Sequence, residues 1–187
     1  MCVRYRAGSG LLRNVPVSSA RRPCVSVVVP NHNHRSYLTQ RIDSILGQSF
    51  QDLELILLDD CSVDGSREVM EGYREDPRVS HVVYNDGESR GTFKQWRTGI
   101  DLAAGELVWL AESDDHADPE FLAVAVERLD ADPRVGVTYC QSHSCDGEGR
   151  VRGDWLDHTA RFEPNLGEAD FVLPGTEAVQ RYFPYLN

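Results

Sequence analysis

CVSVVVPNHNHRSYLTQRIDSIL, residues 24–46, decides the fold. Its opening run, Cys24 to Pro30, is continuously apolar and valine-rich, as a strand buried on both faces requires. After a polar loop, Leu38, Ile42, Ile45 and Leu46 recur at helical spacing and give one apolar side. The same strand, loop and helix unit repeats downstream. LELILLD (53–59) leads to a helix expected from about Ser66 to Glu75, with Asp64 or Ser66 as its cap and Val69, Met70 and Tyr73 turned inward. VSHVVY (79–84) leads to a helix carrying Phe93, Trp96 and Ile100. GELVWLA (105–111) precedes a helix from Pro119 to about Ala131, bearing Phe121, Leu122, Ala125 and Leu129. VGVTYC (135–140) reads as a further strand. This alternation predicts an α/β fold with a mostly parallel central sheet flanked by helices.

A chain of 187 residues is long enough for one domain with a substantial core, here expected over 23–187. Residues 1–22, MCVRYRAGSGLLRNVPVSSARR, mix Arg, Gly, Ser and Pro without periodicity and read as a tail or linker. They also lack the long apolar core of a signal peptide. The composition, 41% hydrophobic and 26% charged, is that of a soluble globular protein. No apolar run nears the about eighteen residues that crossing a bilayer needs. A net charge of −11 argues against nucleic acid as a partner, because phosphate backbones require a basic face. Five cysteines with no Cys-x-x-Cys pair read as reduced thiols in a cytoplasmic protein. Cys140, His143 and Cys145 lack a fourth ligand and a finger-like spacing, so zinc is not expected. The string NHNH at 31–34 is not by itself a nuclease motif, which would need further ligands and a basic surface.

In parallel sheets ligands bind beyond the carboxyl ends of the strands. The polar clusters fall there: Pro30, Asn31 and His32; Asp59, Asp60 and Cys61; Asn85, Asp86 and Gly87; Glu112, Ser113 and Asp114. The last cluster lies in AESDDHADP (111–119), where residues two apart on an extended strand project alike, so that Glu112 and Asp114 converge and Asp115 does not. Two carboxylates suit a hard cation, Mn²⁺ or Mg²⁺, that keeps its other positions for water and phosphate oxygens. The competing reading is an acidic helix entrance, with Asp118 and Pro119 capping and opening the next helix. The position of the cluster on the fourth of four converging strand ends favours metal. No G-x-G-x-x-G turn or Walker A sequence is present to hold the phosphate instead. Asp60 can accept a hydrogen bond from a base imide N–H or serve a capping turn. His32 can lie against a base or be an ordinary loop histidine. Arg90, Lys94 and Arg97 can supply positive charge to a diphosphate, and Lys94 and Arg97, three apart, can equally solvate a helix face.

Several motifs in order, over Cys24 to Ser142, resemble the inverting family 2 glycosyltransferases with the GT-A fold, a Rossmann-like nucleotide-diphospho-sugar transferase architecture. VSVVVPNHNHRSYLTQRIDSILGQSF is similar to their opening strand, loop and helix, with the S-I-L-x-Q-[ST]-F ending. LELILLDDCSVDGS resembles their D-D-x-S-x-D-x-S turn, and FKQWRTGIDLAAGELVWLAESDD the run into the D-x-D motif.

The resemblance implies that Pro30, His32 and Asp60 contact the nucleoside, with Asp60 reading the base. Glu112 and Asp114 then occupy the D-x-D positions, Asp114 as ligand of Mn²⁺ or Mg²⁺ and Glu112 near the ribose and the metal water. Lys94 joins the nucleotide-binding set. The first D-x-D position carries the longer Glu, and His32 replaces the common Tyr. The implied reaction is a hexosyltransferase one, moving a sugar from a UDP or dTDP donor to an acceptor hydroxyl with inversion, in cell-surface polysaccharide or glycan synthesis. By family, a glycan or lipid-linked acceptor would bring the protein to the inner membrane surface as a peripheral protein.

Inversion needs a general base. The family's base lies in a downstream acidic motif that is not found here; Asp154 comes too soon after Asp114, so the base is expected beyond Asn187. The chain is thus read as truncated before that motif. The alternative reading is a non-catalytic nucleotide-sugar binding module. A sugar-phosphate nucleotidyltransferase ranks last, because PNHNHRSY lacks its glycines and lysine.

Overall fold

The structure, a computed structural model, describes residues 2–4, 22–156 and 169–182. The chain divides into two compact units, Met1–Tyr139 and Cys140–Asn187, where the sequence suggested one domain over 23–187.

The first unit is built on a six-stranded sheet. Its strands are β1 (Cys2–Arg4), β2 (Val25–Asn31), β3 (Leu53–Asp60), β4 (Val79–Asn85), β5 (Leu107–Leu110) and β6 (Val137–Thr138), in the order β4-β3-β2-β5-β1-β6. The first four strands in that order are parallel, while β1 runs antiparallel to both its neighbours. The expected α/β architecture with a mostly parallel sheet is therefore present. β2 and β3 are buried along their whole length, which is why neither shows a polar alternation in sequence.

Side chains alternate between two apolar layers. Val25, Val27, Val29, Leu55 and Leu57 pack with Leu38, Ile42 and Ile45 of α1 (Arg35–Leu46), Met70 of α2 (Ser66–Glu71) and Leu122, Val126 and Leu129 of α4 (Phe121–Ala131). Val28, Ile56, Leu58 and Val108 face the opposite way, toward Ile100 and Leu102 of α3 (Thr92–Leu102). Gly99 is what lets α3 approach β2 so closely, since a Cβ there would lie 2.2 Å from Val28 Cγ1.

Several boundaries differ from the sequence reading: α4 begins at Phe121, with Glu120 at its N-cap, where Asp118 and Pro119 were expected to cap and open it, and β5 covers 107–110 of the expected 105–111. Cys2–Arg4, expected to be tail, is a strand hydrogen-bonded between β5 and β6, with Cys2 fully buried. Arg4 anchors it: its N–H donates to Gly136 O at 2.8 Å and its guanidinium to Glu106 at 2.8 Å and to Leu129 O at 2.9 Å. Residues 5–21 lie outside the described set. α2 ends at Glu71, because Gly72 and Tyr73 turn back onto carbonyls three residues earlier. β6 covers only Val137–Thr138 of the expected 135–140, since β1, its pairing partner among the described residues, is itself three residues long.

Asp64 serves two helices rather than one. Its Oδ2 accepts the N–H of Arg35 at the start of α1, at 2.8 Å, and its Oδ1 accepts the N–H and the hydroxyl of Ser66 at 3.0 and 2.6 Å. A carboxylate at two helix entrances satisfies donors that the helices cannot satisfy themselves.

The second unit contains a hairpin of β7 (His143–Cys145) and β8 (Val151–Asp154), then α5 (Gly175–Tyr182) in the stretch PGTEAVQRYF, where a helix start was expected. Asp146 ties the hairpin by accepting from Arg150 and Arg152. No described helix is long and apolar enough to cross a membrane.

Candidate functional site

The carboxyl ends of β2, β3, β4 and β5 fall on one edge of the sheet, as the parallel register demands. Asn31 is paired with Asp59, Asp60 with Asn85, and β5 ends where Leu110 meets Val28. The four polar clusters therefore share that edge.

Asp60 is only 2% exposed, and its carboxylate is fully engaged. Asn85 Nδ2 donates to Oδ1 at 2.6 Å, the Ser89 hydroxyl and Gly91 N–H donate to Oδ2 at 2.6 and 2.9 Å, and Arg90 N–H reaches both oxygens at 3.0 and 2.9 Å. Burial by itself would raise its pKa, but these hydrogen bonds outweigh it and hold the carboxyl well below the usual range. A carboxylate offers about four lone-pair sites. A base N–H can therefore reach Asp60 only where one donor yields, and the Ser89 hydroxyl is the least constrained of them.

The same network sets a pH dependence. A group whose folded pKa is depressed contributes its full stability above its unfolded value, about 3.9 for Asp, and loses it as pH falls through the folded value. Asp60→Asn is expected to cost about 2 kcal/mol near neutrality, the scale of hydrogen bonds to a charged group. Thermal melts across pH should show the gap between wild type and variant constant down to about pH 4 and narrowing below it. A gap that widens on acidification would contradict the assignment.

The loop after β2 leans on the loop after β3. Pro30 and Asn31 are buried, and Asn31 Nδ2 donates to Asp59 Oδ1 at 3.2 Å and to Ser62 Oγ at 3.0 Å. Asp59 in turn takes Arg67 Nε at 2.8 Å. His32 is exposed, with Nδ1 2.5 Å from Asp60 O. A carbonyl only accepts, so Nδ1 carries the proton, and Nε2 is left to accept from Asn33 Nδ2 at 3.1 Å. Asn33 and Cys61, with φ of 59° and 64°, hold left-handed backbone in these two loops. Such strain persists where surrounding bonds fix the chain, here Asn33 N–H to Ser62 Oγ and the Cys61 thiol to Asn85 O.

At the end of β5, Trp96 of α3 donates its indole N–H to Glu112 Oε1 at 2.7 Å. Burial raises the Glu112 pKa; the Trp96 bond and Arg41 oppose this, while Asp114 and Asp115 reinforce it. Asp114 is half exposed, and His34 Nδ1 lies 4.0 Å from it and 2.8 Å from Ser113 Oγ. Among the described residues no group of three or more His, Cys, Asp or Glu side chains is arranged to hold a metal ion. β5 ends at Leu110 and residues 112–115 form a turn closed by the Asp115 N–H on Glu112 O, so the strand alternation expected of Glu112 and Asp114 does not reach them. A hard cation held by only one or two carboxylates would keep its other positions for water and phosphate oxygens. An open groove of about 630 Å³, lined by Ser36, Thr39, Gln40, Asp43 and His116, runs along α1 beside the acidic loop.

Lys94 is exposed on the first turn of α3. Arg97 pairs with Asp101 at 3.8 Å on its own helix, and Arg90 enters the site through its backbone N–H. Sequence reasoning missed Asn85, Ser89 and Gly91 as partners of Asp60, and Trp96 as the partner of Glu112. Trp96 carried a signal, since a tryptophan drawn into the protein needs an acceptor for its N–H.

With this geometry in view, comparison with known proteins identifies the class. A family model described as Glycosyl transferase family 2 matches residues 26–183. The chain is 36% identical over 94 residues to the putative teichuronic acid biosynthesis glycosyltransferase TuaG of Bacillus subtilis, covering 50% of this chain and 37% of that protein. The mannosyltransferase PcManGT from Pyrobaculum calidifontis, in complex with GDP-Man and Mn²⁺, superposes with a TM-score of 0.58 at 31% identity, covering 64% of this chain and 36% of that one. TarS 1–349 of S. aureus superposes with a TM-score of 0.52 at 31% identity, covering 57% and 32%. The fold shared with these structures is GT-A. The chain belongs to glycosyl transferase family 2, and it spans well under half the length of these relatives.

Proposed function

We propose that this chain is the donor-binding portion of a metal-dependent glycosyltransferase that moves a sugar, of hexosyl type, from a nucleoside diphosphate to an acceptor hydroxyl with inversion. The observation that carries the proposal is the pair at the end of β5: a half-exposed Asp114 two residues from a Glu112 fixed by Trp96. Mn²⁺ or Mg²⁺ bound there would offset charge on the departing diphosphate as a Lewis acid. The chain's own residues then have separate tasks. Pro30 and His32 flank the nucleoside, Asp60 reads its base once Ser89 yields, and Lys94 faces the diphosphate. The general base is assigned to a segment beyond Asn187.

Two solved relatives support a nucleotide-sugar ligand: TarS 1–349 has been captured with UDP-GlcNAc, and the Pyrobaculum mannosyltransferase with GDP-Man and Mn²⁺. We take UDP or dTDP as the donor nucleotide, because both present an imide to Asp60. A glycan or lipid-linked acceptor at the inner membrane surface, in polysaccharide synthesis, completes the reading. The test is a thermal-shift series with UDP, dTDP and GDP, each with Mn²⁺ and with chelator. A ligand that favours the folded state raises its melting temperature by mass action. Stabilisation by UDP or dTDP that needs Mn²⁺ is the expected result. Equal shifts with and without metal would remove the metal from the proposal.

A further inference from the structure

Arg41 sits where a cation is least expected. It lies on the apolar side of α1, three residues after Leu38 and one before Ile42, and is only 3% exposed. Its guanidinium carbon is 5.0 Å from the centroid of the Trp109 ring, and its Nε has no hydrogen-bond partner among the described residues. α1 is pinned to the acidic loop on either side of it. His34 meets Ser113 at 2.8 Å and Ser44 Oγ accepts the Ala117 N–H at 3.3 Å. Trp109, the ring Arg41 faces, lies on β5 three residues before Glu112. The charges acting on Arg41 are Asp115, Glu112 and Asp114, although burial dominates and pulls its pKa down to about 10. A guanidinium remains protonated there at neutral pH. Burying a cation with an unmet N–H is costly unless opposite charge lies close.

We propose that Arg41 is a positioning residue for the metal site, an internal counter-charge that holds the Glu112–Asp115 loop together and restrains how tightly that loop binds a divalent cation. The proposal rests on the metal reading given above. Its physical content is a sign. A fixed positive charge behind the carboxylates repels a second cation but offsets the negative charge that a diphosphate brings, so it weakens the metal alone and strengthens the nucleotide with metal. A residue that merely packed would, when removed, weaken both.

The test is Mn²⁺ binding by calorimetry and electron paramagnetic resonance, for the protein alone and then with UDP present. Arg41→Met keeps the stem and removes the charge, whereas Arg41→Lys keeps the charge. Arg41→Met is expected to bind free Mn²⁺ about tenfold more tightly than wild type, as removal of one nearby charge in a partly buried site would give. It is also expected to bind UDP in the presence of Mn²⁺ more weakly, while Arg41→Lys stays close to wild type in both. Circular dichroism melts establish that each variant is folded before titration. Should Arg41→Met prove misfolded, Arg41→Gln is read in the same way. Unchanged or weaker Mn²⁺ binding by the charge-removing variant, with wild type binding normally, would overturn the role of Arg41 and leave the metal site standing. Absence of Mn²⁺ binding in wild type and variant alike would overturn both.

Discussion

Replacing Asp114 by alanine is expected to weaken Mn²⁺-supported binding of a nucleoside diphosphate by about a hundredfold, on the scale of several kcal/mol that a metal contributes to charge neutralisation. The magnitude follows from how little else could compensate. Glu112 has one oxygen committed to Trp96, and its burial already disfavours ionisation. Asp115→Ala makes the natural comparison, since the backbone of Asp115 closes a turn onto Glu112 O at 3.3 Å and its carboxylate is the neighbouring charge in the same loop. Isothermal titration of UDP with Mn²⁺ should separate the two variants clearly. An Asp114→Ala protein that binds within about threefold of wild type, less than 1 kcal/mol, would show that the acidic loop is only a helix entrance.

The largest expected effect on stability is at Gly99. In an open helix a Gly→Ala change gains up to about 1 kcal/mol. Here the added methyl would meet Val28 Cγ1 at 2.2 Å and Cγ2 at 2.8 Å, and Val28 belongs to a strand paired on both sides. Neither β2 nor α3 can retreat without breaking ladder bonds or opening the layer formed by Ile56, Leu58 and Ile100. Overpacking of this kind costs about 3 kcal/mol. Chemical denaturation of Gly99→Ala should show that loss, and adding Val28→Ala should return much of it. A stabilised single variant would mean that α3 stands farther from the sheet than described.

The order of strands and helices was legible because each unit announces itself locally. CVSVVVP and LELILLD can only be strands covered on both faces, and Leu38, Ile42 and Ile45 can only be one side of a helix. Which strand ends would share an edge followed from the parallel topology. What could not be read was pairing between distant segments. Cys2–Arg4 has no strand signature of its own and is extended because β5 and β6 offer unpaired groups on either side. The donors that saturate Asp60 come from residues 85 to 91, a loop whose composition resembles any other. Arg41 is the instructive case. Its position within an apolar helical stripe was visible in the sequence, but a charge there becomes informative only once the acidic loop is known to lie against the same helix.

The threading of β1 has a further consequence. A strand in the middle of a sheet is a bridge, and among the described residues β1 is the strand that joins β6 to the rest of the sheet. A protein trimmed at its amino terminus by four residues would retain every proposed donor-binding residue, yet its sheet would carry a vacant slot, with a row of unmet amides and carbonyls along β5. Such a slot accepts any extended segment that fits, including the first residues of a neighbouring copy. Oligomers that arise on amino-terminal trimming would then be strand donation between chains.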